Sequence, residues 1–230
     1  SIVNAGDTVV DQVGTTFGIR TLRLSAEKGF ELNGQTIKLC GGCVHHDNGC
    51  LGAAAFDRAE ERRVELLKAA GFNAIRTSHN PPSTAFLDAC DRLGMIVMDE
   101  AFDCWTRGKN KFDYGISFKE WWPSDIEAMV LRDRNHPSIA FWSIGNEIPE
   151  RGMAEGAKTS QMLVNYVRSL DGTRFLTSAL NGGSRWTNMD PTFATLRKLV
   201  EASGERLELA TASPVTDLPP ARTDEEHGRR

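Results

Sequence analysis

Between Leu39 and Leu180 the chain repeats one unit: a short apolar run, a loop, an amphipathic stretch, and a glycine or polar break. The apolar runs are Leu39 towards His46, Asn73 to His79, Met95 to Ala101, Ile139 onward, and Phe175 to Leu180. After the first run, Asp57 is placed to cap a helix with Glu60 closing a capping box; Val64, Leu67 and Ala70 give its apolar face and Gly71 ends it. After the second, Pro81 and Pro82 force a loop, Ser83 caps a helix with Phe86, Leu87, Cys90 and Leu93 inward, and Gly94 closes it. The third helix carries Ile126, Met129 and Val130 up to Asn135-His136-Pro137, and either begins near Pro123 or kinks there. The fourth carries Leu163, Val164, Val167 and Leu170 and ends at Gly172. Strands alternating with helices predict a parallel sheet with helices outside, as an α/β barrel or a doubly wound sheet. No Gly-x-Gly-x-x-Gly follows any strand, which counts against a dinucleotide site.

The run Ile139-Ala-Phe-Trp-Ser-Ile-Gly-Asn-Glu-Ile-Pro149 concentrates the chemistry. Its apolar residues can bury on both faces of a parallel sheet, whereas Asn146 and Glu147 need partners or water. Pro149 lacks an N–H and restrains Ile148, so Glu147 is expected at an open strand end, where barrel enzymes place their reactive groups.

Outside the repeat, residues 8–24 carry β-branched and aromatic residues broken by glycines, like the last strands of a preceding β module. Two short strands follow around an Asn33-Gly34 turn, since Asn-Gly readily takes the positive φ angles of a type I′ hairpin. The polar and aromatic segment 102–114 suits a pocket-shaping loop. With 40% hydrophobic residues there is material for one sizeable core, and no stretch approaches the length of a membrane span. A net charge of −4 without a basic stripe argues against nucleic acid. Five cysteines, an odd number, lean towards reduced thiols. Cys40, Cys43 and Cys50 beside His45 and His46 raise a zinc reading, but no second Cys-x-x-Cys or His-x-x-x-His follows, and buried strand thiols are the expectation. There is neither an initiator Met nor a signal segment, so the chain reads as part of something longer; compartment stays open, with the cytoplasm slightly favoured.

The motifs Phe17-Gly-Ile-Arg20, Leu32-Asn-Gly34, Gly71-Phe-Asn-Ala-Ile-Arg-Thr-Ser-His-Asn-Pro81, Cys90-Asp91 with Leu93-Gly94, Asp99-Glu-Ala101 and Trp142-Ser-Ile-Gly-Asn-Glu147, in this order, resemble the glycoside hydrolases of the β-galactosidase and β-glucuronidase family, family 2. The resemblance implies a (β/α)8 TIM-barrel catalytic domain, here residues 27–196, preceded by the tail of an Ig-like β-sandwich over residues 1–26. It also implies a retaining mechanism with two carboxylates. By that likeness Glu147 is the proton donor and later the base, Asn146 holds the sugar 2-hydroxyl, and His46, Arg76, His79 and Glu100 line the sugar site. A general acid at neutral pH needs its ionised form disfavoured, so Glu147 is expected half-dry and near a second carboxylate. Arg76 is equally expected to pair with Asp99 or Glu100. His79 and His46 have the simpler reading of structural histidines, and core packing is the default for Trp105, Trp121 and Trp122.

Two departures from the family follow. Magnesium-binding members supply a Glu-x-His pair shortly after the third strand, where this chain has Ala101-Phe-Asp-Cys-Trp, so no metal and no cofactor are expected. The family nucleophile is a glutamate ending the seventh strand. Only five strands precede Gly183, and none of Glu201, Glu205, Glu208, Glu225 or Glu226 ends an apolar strand. A whole barrel takes about 250 residues and roughly 165 are available, so the barrel is expected to be incomplete, its nucleophile absent. Residues 197–230 read as a non-family tail, with one possible helix before a disordered stretch. The expected activity is hydrolysis of terminal non-reducing β-glycosides, most like a β-galactosidase. The alternatives are β-glucuronidase or β-mannosidase specificity, or a silent carbohydrate-binding remnant. The expected partners are carbohydrate and the missing domains of the parent chain.

Overall fold

Each of the five apolar runs is a strand in the computed structural model, which describes residues 2–3 and 9–179. In chain order, β1 (Ile2–Val3) and β2 (Val9–Asp11) pair as an antiparallel ribbon; β3 (Leu22–Ser25), β4 (Gly29–Leu32) and β5 (Gln35–Thr36) form a small antiparallel sheet. The repeating part follows as β6 (Gly41–His45), α1 (Asp57–Ala69), β7 (Ala74–Ser78), α2 (Thr84–Leu93), β8 (Ile96–Glu100), α3 (Phe118–Asp133), β9 (Ile139–Asn146), α4 (Ala154–Leu170) and β10 (Phe175–Ala179). The parallel sheet has the order β10-β9-β8-β7-β6, with every neighbour in space a neighbour in sequence. A doubly wound sheet reverses its strand order at a switch point; this one does not, so the sheet is an arc of a barrel. The expected end near Leu196 and the tail over 197–230 lie outside the described residues.

Two apolar layers sit on the two sides of the arc. On the helix side, Ile75, Val97, Ile139, Trp142 and Ile144 pack with Phe86, Leu87, Ile126, Val130, Leu163 and Val167 of the helices. Burying side chains such as Phe86 and Leu87 stabilises by about 2 kcal/mol each. On the concave side, Phe141 packs with Phe30 of β4, ring centroids 5.5 Å apart, and with Phe175 at 5.6 Å. The small antiparallel sheet thus plugs one end of the arc. A register shift between β8 and β9 after Val97 puts Ile139 and Trp142, three residues apart, on the same side, leaving Phe141 and Ser143 on the other. All eight residues of β9 are buried, the two-sided burial that a parallel strand requires.

Turn chemistry follows the sequence in places and departs in others. Asn33 and Gly34 take φ of 52° and 79° and join β4 to β5, as a type I′ turn demands. Ser83 Oγ accepts from Phe86 N at 3.2 Å, and Gly94 closes α2 at φ 68°. The capping box on α1 does not form. Phe56 occupies the cap position, and Glu60 turns inward, accepting from Asn48 Nδ2 at 2.7 Å and Arg63 Nη1 at 3.0 Å. A buried carboxylate with two such donors is better satisfied there than by one backbone N–H. α3 begins at Phe118 and carries Pro123 inside its second turn, and α4 has Leu170 as its last residue and Asp171 as its cap, with Gly172 next. Cys40, Cys43 and Cys50 are exposed, contrary to expectation: Cys43 lies on β6, an edge of the described sheet, and Cys40 and Cys50 lie before and after that strand. Residues 12–21 form no strand, and Val9, Val10, Val13, Phe17 and Ile19 are exposed. No helix among the described residues is long and apolar enough to cross a membrane.

Candidate active site

Strand alternation decides which polar groups meet. Ile75 and Val97 belong to the helix-side core, so Arg76 on β7 and Glu100 at the end of β8 face the concave side with Ser143 of β9. Glu100 has no exposed surface. Its carboxylate accepts from Arg76 Nη2 at 2.7 Å, Arg76 Nε at 3.0 Å and Ser143 Oγ at 2.6 Å, and its Oε1 lies 2.7 Å from His79 Nδ1. Burial acts to lower the Arg76 pKa, but the Glu100 carboxylate and the Cys43 sulfur outweigh it and the net shift is upward. Arg76 is therefore held as a cation with part of its surface open. Glu100 pairs with Arg76 as expected, whereas Asp99 faces the other way, towards Thr77 Oγ1 at 3.2 Å. Glu100 is thus enclosed, with Arg76 and His79 between it and the more open part of the cluster.

Asn146 closes the cluster from β9. Its Oδ1 accepts from Arg76 Nη2 at 2.8 Å. Glu147 follows at once, exposed and with φ of 43°, the left-handed region that non-glycine residues adopt at a cost of about 1–3 kcal/mol. That turn takes Glu147 out of the strand's alternation, so the carboxyl is exposed rather than half-dry, and Ile148 returns to the core fully buried. Gly145 allows the corner. A Cβ there would stand 2.5 Å from Ile148 Cδ1 and 2.9 Å from Trp105 Nε1, the latter donating to Ile144 O at 2.8 Å.

The loop after β8 supplies two further groups. Asp103 Oδ1 accepts from Asn146 Nδ2 at 2.8 Å and from Lys109 Nζ at 2.7 Å, and Lys109 Nζ also donates to Asn146 O at 2.9 Å. Burial would raise the Asp103 pKa, yet the hydrogen bonds from Lys109 and Asn146 prevail and hold it below the usual carboxylate value. Nothing in the sequence marks Asp103 or Lys109 beyond their place in a long polar loop. Ser143 did carry a signal, as the lone hydroxyl inside the greasiest strand.

The structure thus brings Arg76, His79, Glu100 and Asn146 into one bonded cluster at the carboxyl ends of three adjacent strands, with Glu147 next along the chain. His46 is not part of it. Its Nδ1 lies 3.4 Å from Asn80 Nδ2, whereas His45 meets the His79 ring edge-on at 4.9 Å and Cys43 accepts from Arg76 Nη1 at 3.2 Å. Period-two alternation from Cys43 selects His45, a distinction two adjacent histidines hide. Trp105 is core, Trp122 packs edge-on against Tyr166 at 5.3 Å, and Trp121 is 51% exposed, against the core-packing default.

Among the described residues, one group of side chains could hold a metal: Asp88, Asp91 and His136. It lies before the start of β9, at the opposite end of the sheet from Glu147, and His136 Nδ1 is already 2.7 Å from Asp91 Oδ2. Cys40, Cys43, Cys50, His45 and His46 form no such group among the described residues.

Comparison with known proteins identifies the family and the fold. Residues 24–197 match the family model for glycosyl hydrolases family 2, TIM barrel domain. The chain is 44% identical over 203 residues to the β-galactosidase BoGH2A of Bacteroides ovatus, covering 75% of this chain and 24% of that protein. It is 41% identical over 191 residues to a putative β-glucuronidase of Formosa agariphila, covering 78% and 18%. A solved glycosyl hydrolase family 2 member from Bacteroides cellulosilyticus superposes with a TM-score of 0.74 at 49% identity, covering 83% of this chain and 26% of that one. The chain spans about a quarter or less of the length of these relatives.

Proposed function

Since the chain belongs to glycosyl hydrolase family 2 through its TIM-barrel domain, we propose that the cluster around Arg76 is the acid/base half of a retaining β-glycosidase site acting on terminal non-reducing β-glycosides, β-galactosides foremost. The observation that carries it is the joining of Asn146 to the Arg76–Glu100 pair at the strand ends, directly before an exposed carboxylate on a left-handed backbone. In this reading Glu147 gives its proton to the glycosidic oxygen, then takes one from the water that attacks in the second step. Asn146 meets the 2-hydroxyl; Arg76 and His79 line the ring's binding face; Glu100 holds both in place.

Retention also needs a nucleophilic carboxylate about 5–5.5 Å from the acid. Among the described residues none serves: Glu100 is enclosed, and Asp103 is tied to Lys109 and Asn146. The described residues thus supply the sugar-binding and acid/base half, and the second carboxylate is to be sought outside them. A β-glucuronide is the alternative substrate, favoured by the likeness to a putative β-glucuronidase.

Calorimetry with thio-β-galactoside and thio-β-glucuronide, together with nitrophenyl glycosides of both sugars, tests this. The expected result is saturable binding at millimolar concentration, lost in Arg76→Met. Absence of saturable binding for either sugar would refute the site. Any nitrophenol release should fall in Glu147→Gln; release undiminished by that change would refute Glu147 as the acid/base.

A further inference from the structure

The Asn146–Glu147 corner is held from outside its own strand. Lys109 Nζ bonds both the Asn146 carbonyl, at 2.9 Å, and the Asp103 carboxylate, at 2.7 Å. The Asn146 amide is fixed at both ends, its Nδ2 on Asp103 and its Oδ1 on Arg76. An amide's oxygen and nitrogen ends are alike in shape, and a carboxylate on one side with a guanidinium on the other selects a single orientation. The Asn146 carbonyl belongs to the peptide plane that leads into Glu147, so pinning that oxygen restrains the left-handed φ at which Glu147 is presented. Asn146 N is held as well, donating to Phe102 O at 3.0 Å.

The loop delivering Lys109 is itself ordered by short-range contacts. Asp113 accepts from the backbone N–H groups of Asn110 at 2.8 Å and Gly115 at 3.0 Å. Gly108 and Gly115 approach so closely that a Cβ on Gly115 would stand 2.8 Å from Gly108 N. The Lys109 side chain is 22% exposed, so its ammonium works partly out of water, where charge-assisted hydrogen bonds are stronger.

We propose that Lys109, acting with Asp103, is a positioning residue for the Asn146–Glu147 pair: it pins the peptide that presents the acid/base carboxylate and sets the amide orientation offered to the sugar 2-hydroxyl. The inference rests on the reading of Glu147 and Asn146 given under Proposed function. Neither residue touches the reacting atoms, so their effect is carried by geometry.

The test uses the 230-residue chain, labelled with 15N, as wild type, Lys109→Met, Lys109→Arg and Asp103→Asn. The Asn146 side-chain amide and the Glu147 backbone amide are the reporters, read with thio-β-galactoside affinity. Lys109→Met is expected to move both resonances and weaken binding about tenfold, while Lys109→Arg restores both to within about threefold. Asp103→Asn keeps the shape of the carboxylate and removes its charge, so it covers a Lys109→Met protein that fails to fold; it should shift the same two resonances. Unmoved Asn146 and Glu147 resonances in a folded Lys109→Met or Asp103→Asn chain would overturn the clamp. If wild type binds no glycoside, the functional reading fails and the resonances still decide the clamp. If wild type binds and the variants match it in both readouts, the clamp alone fails.

Discussion

Arg76 Nη2 sits 2.7 Å from Glu100 Oε2, the guanidinium reaching from the middle of β7 to the last residue of β8. The carboxylate is fully buried while the guanidinium is partly open, so the two ends of this pair are unequal. Removing Arg76 strands a buried charge; removing the charge of Glu100 leaves a cation that water can reach. Arg76→Met is therefore expected to cost about 3 kcal/mol in urea denaturation, and adding Glu100→Gln should recover part of it. Equal midpoints for wild type and Arg76→Met would contradict a buried, uncompensated Glu100.

Asp99, one residue before Glu100, faces the opposite layer. It is fully buried, its Oδ2 meets no donor, and burial together with the neighbouring Asp133 charge raises its pKa well above the usual value. A group that keeps its proton in the folded state and loses it near pH 4 in the unfolded chain makes stability fall as pH rises from there towards the folded pKa. Asn resembles the neutral acid in shape and does not ionise. Asp99→Asn should match wild type near pH 4 and exceed it progressively above, as followed by urea midpoints; parallel pH profiles would exclude a protonated Asp99.

These two carboxyls show what could be read in advance. The Asp99-Glu100 dipeptide ends an apolar strand, and alternation says the pair must face opposite layers; which one meets Arg76 depends on the β7–β8 register, which no local pattern states. The element order, the Asn33-Gly34 turn and the Ser83 cap were legible because each is set by residues within a few positions. Glu60 departed from its local role because Asn48, outside the helix, and Arg63, one turn further along it, offered better partners. Asp103 and Lys109 were hidden for a similar reason: their partner Asn146 is 43 and 37 residues away. Family likeness named Glu147, Asn146, Arg76 and His46; of the two adjacent histidines the structure sets His45 against the His79 ring and His46 beside Asn80.

At the amino-terminal end of the sheet, His136 and Asp91 form a second pair with pH consequences of known sign. The hydrogen bond to Asp91 raises the His136 pKa against the effect of burial; for Asp91, burial is outweighed by bonds from His136 and Ser138, and its pKa falls. The histidine contribution is complete below its unfolded pKa near 6.5 and is lost as pH rises through the folded value. The aspartate contribution is complete above about 3.9 and is lost as pH falls through its folded value. Their joint effect is greatest between roughly pH 4 and 6.5. His136→Phe should cost on the order of 1–2 kcal/mol in that window and less on either side. A pH-independent difference between the two proteins would show that the histidine is neutral throughout.

Gly145 tests whether the corner before Glu147 tolerates any added bulk. The Cβ of an alanine would meet Ile148 and the Trp105 indole, both buried and the latter bonded to Ile144 O, so neither can give way without opening the core behind the site. Overpacking of this kind costs about 1–3 kcal/mol. Gly172, beyond the end of α4, has nothing within 4 Å of the place an added methyl group would take, and Gly172→Ala should be near neutral. The decisive comparison is the thio-β-galactoside affinity of folded Gly145→Ala. If displacement of Ile148 is passed to the neighbouring Glu147 and Asn146, affinity falls along with stability; a variant that loses stability and binds normally would separate the corner's packing from its function.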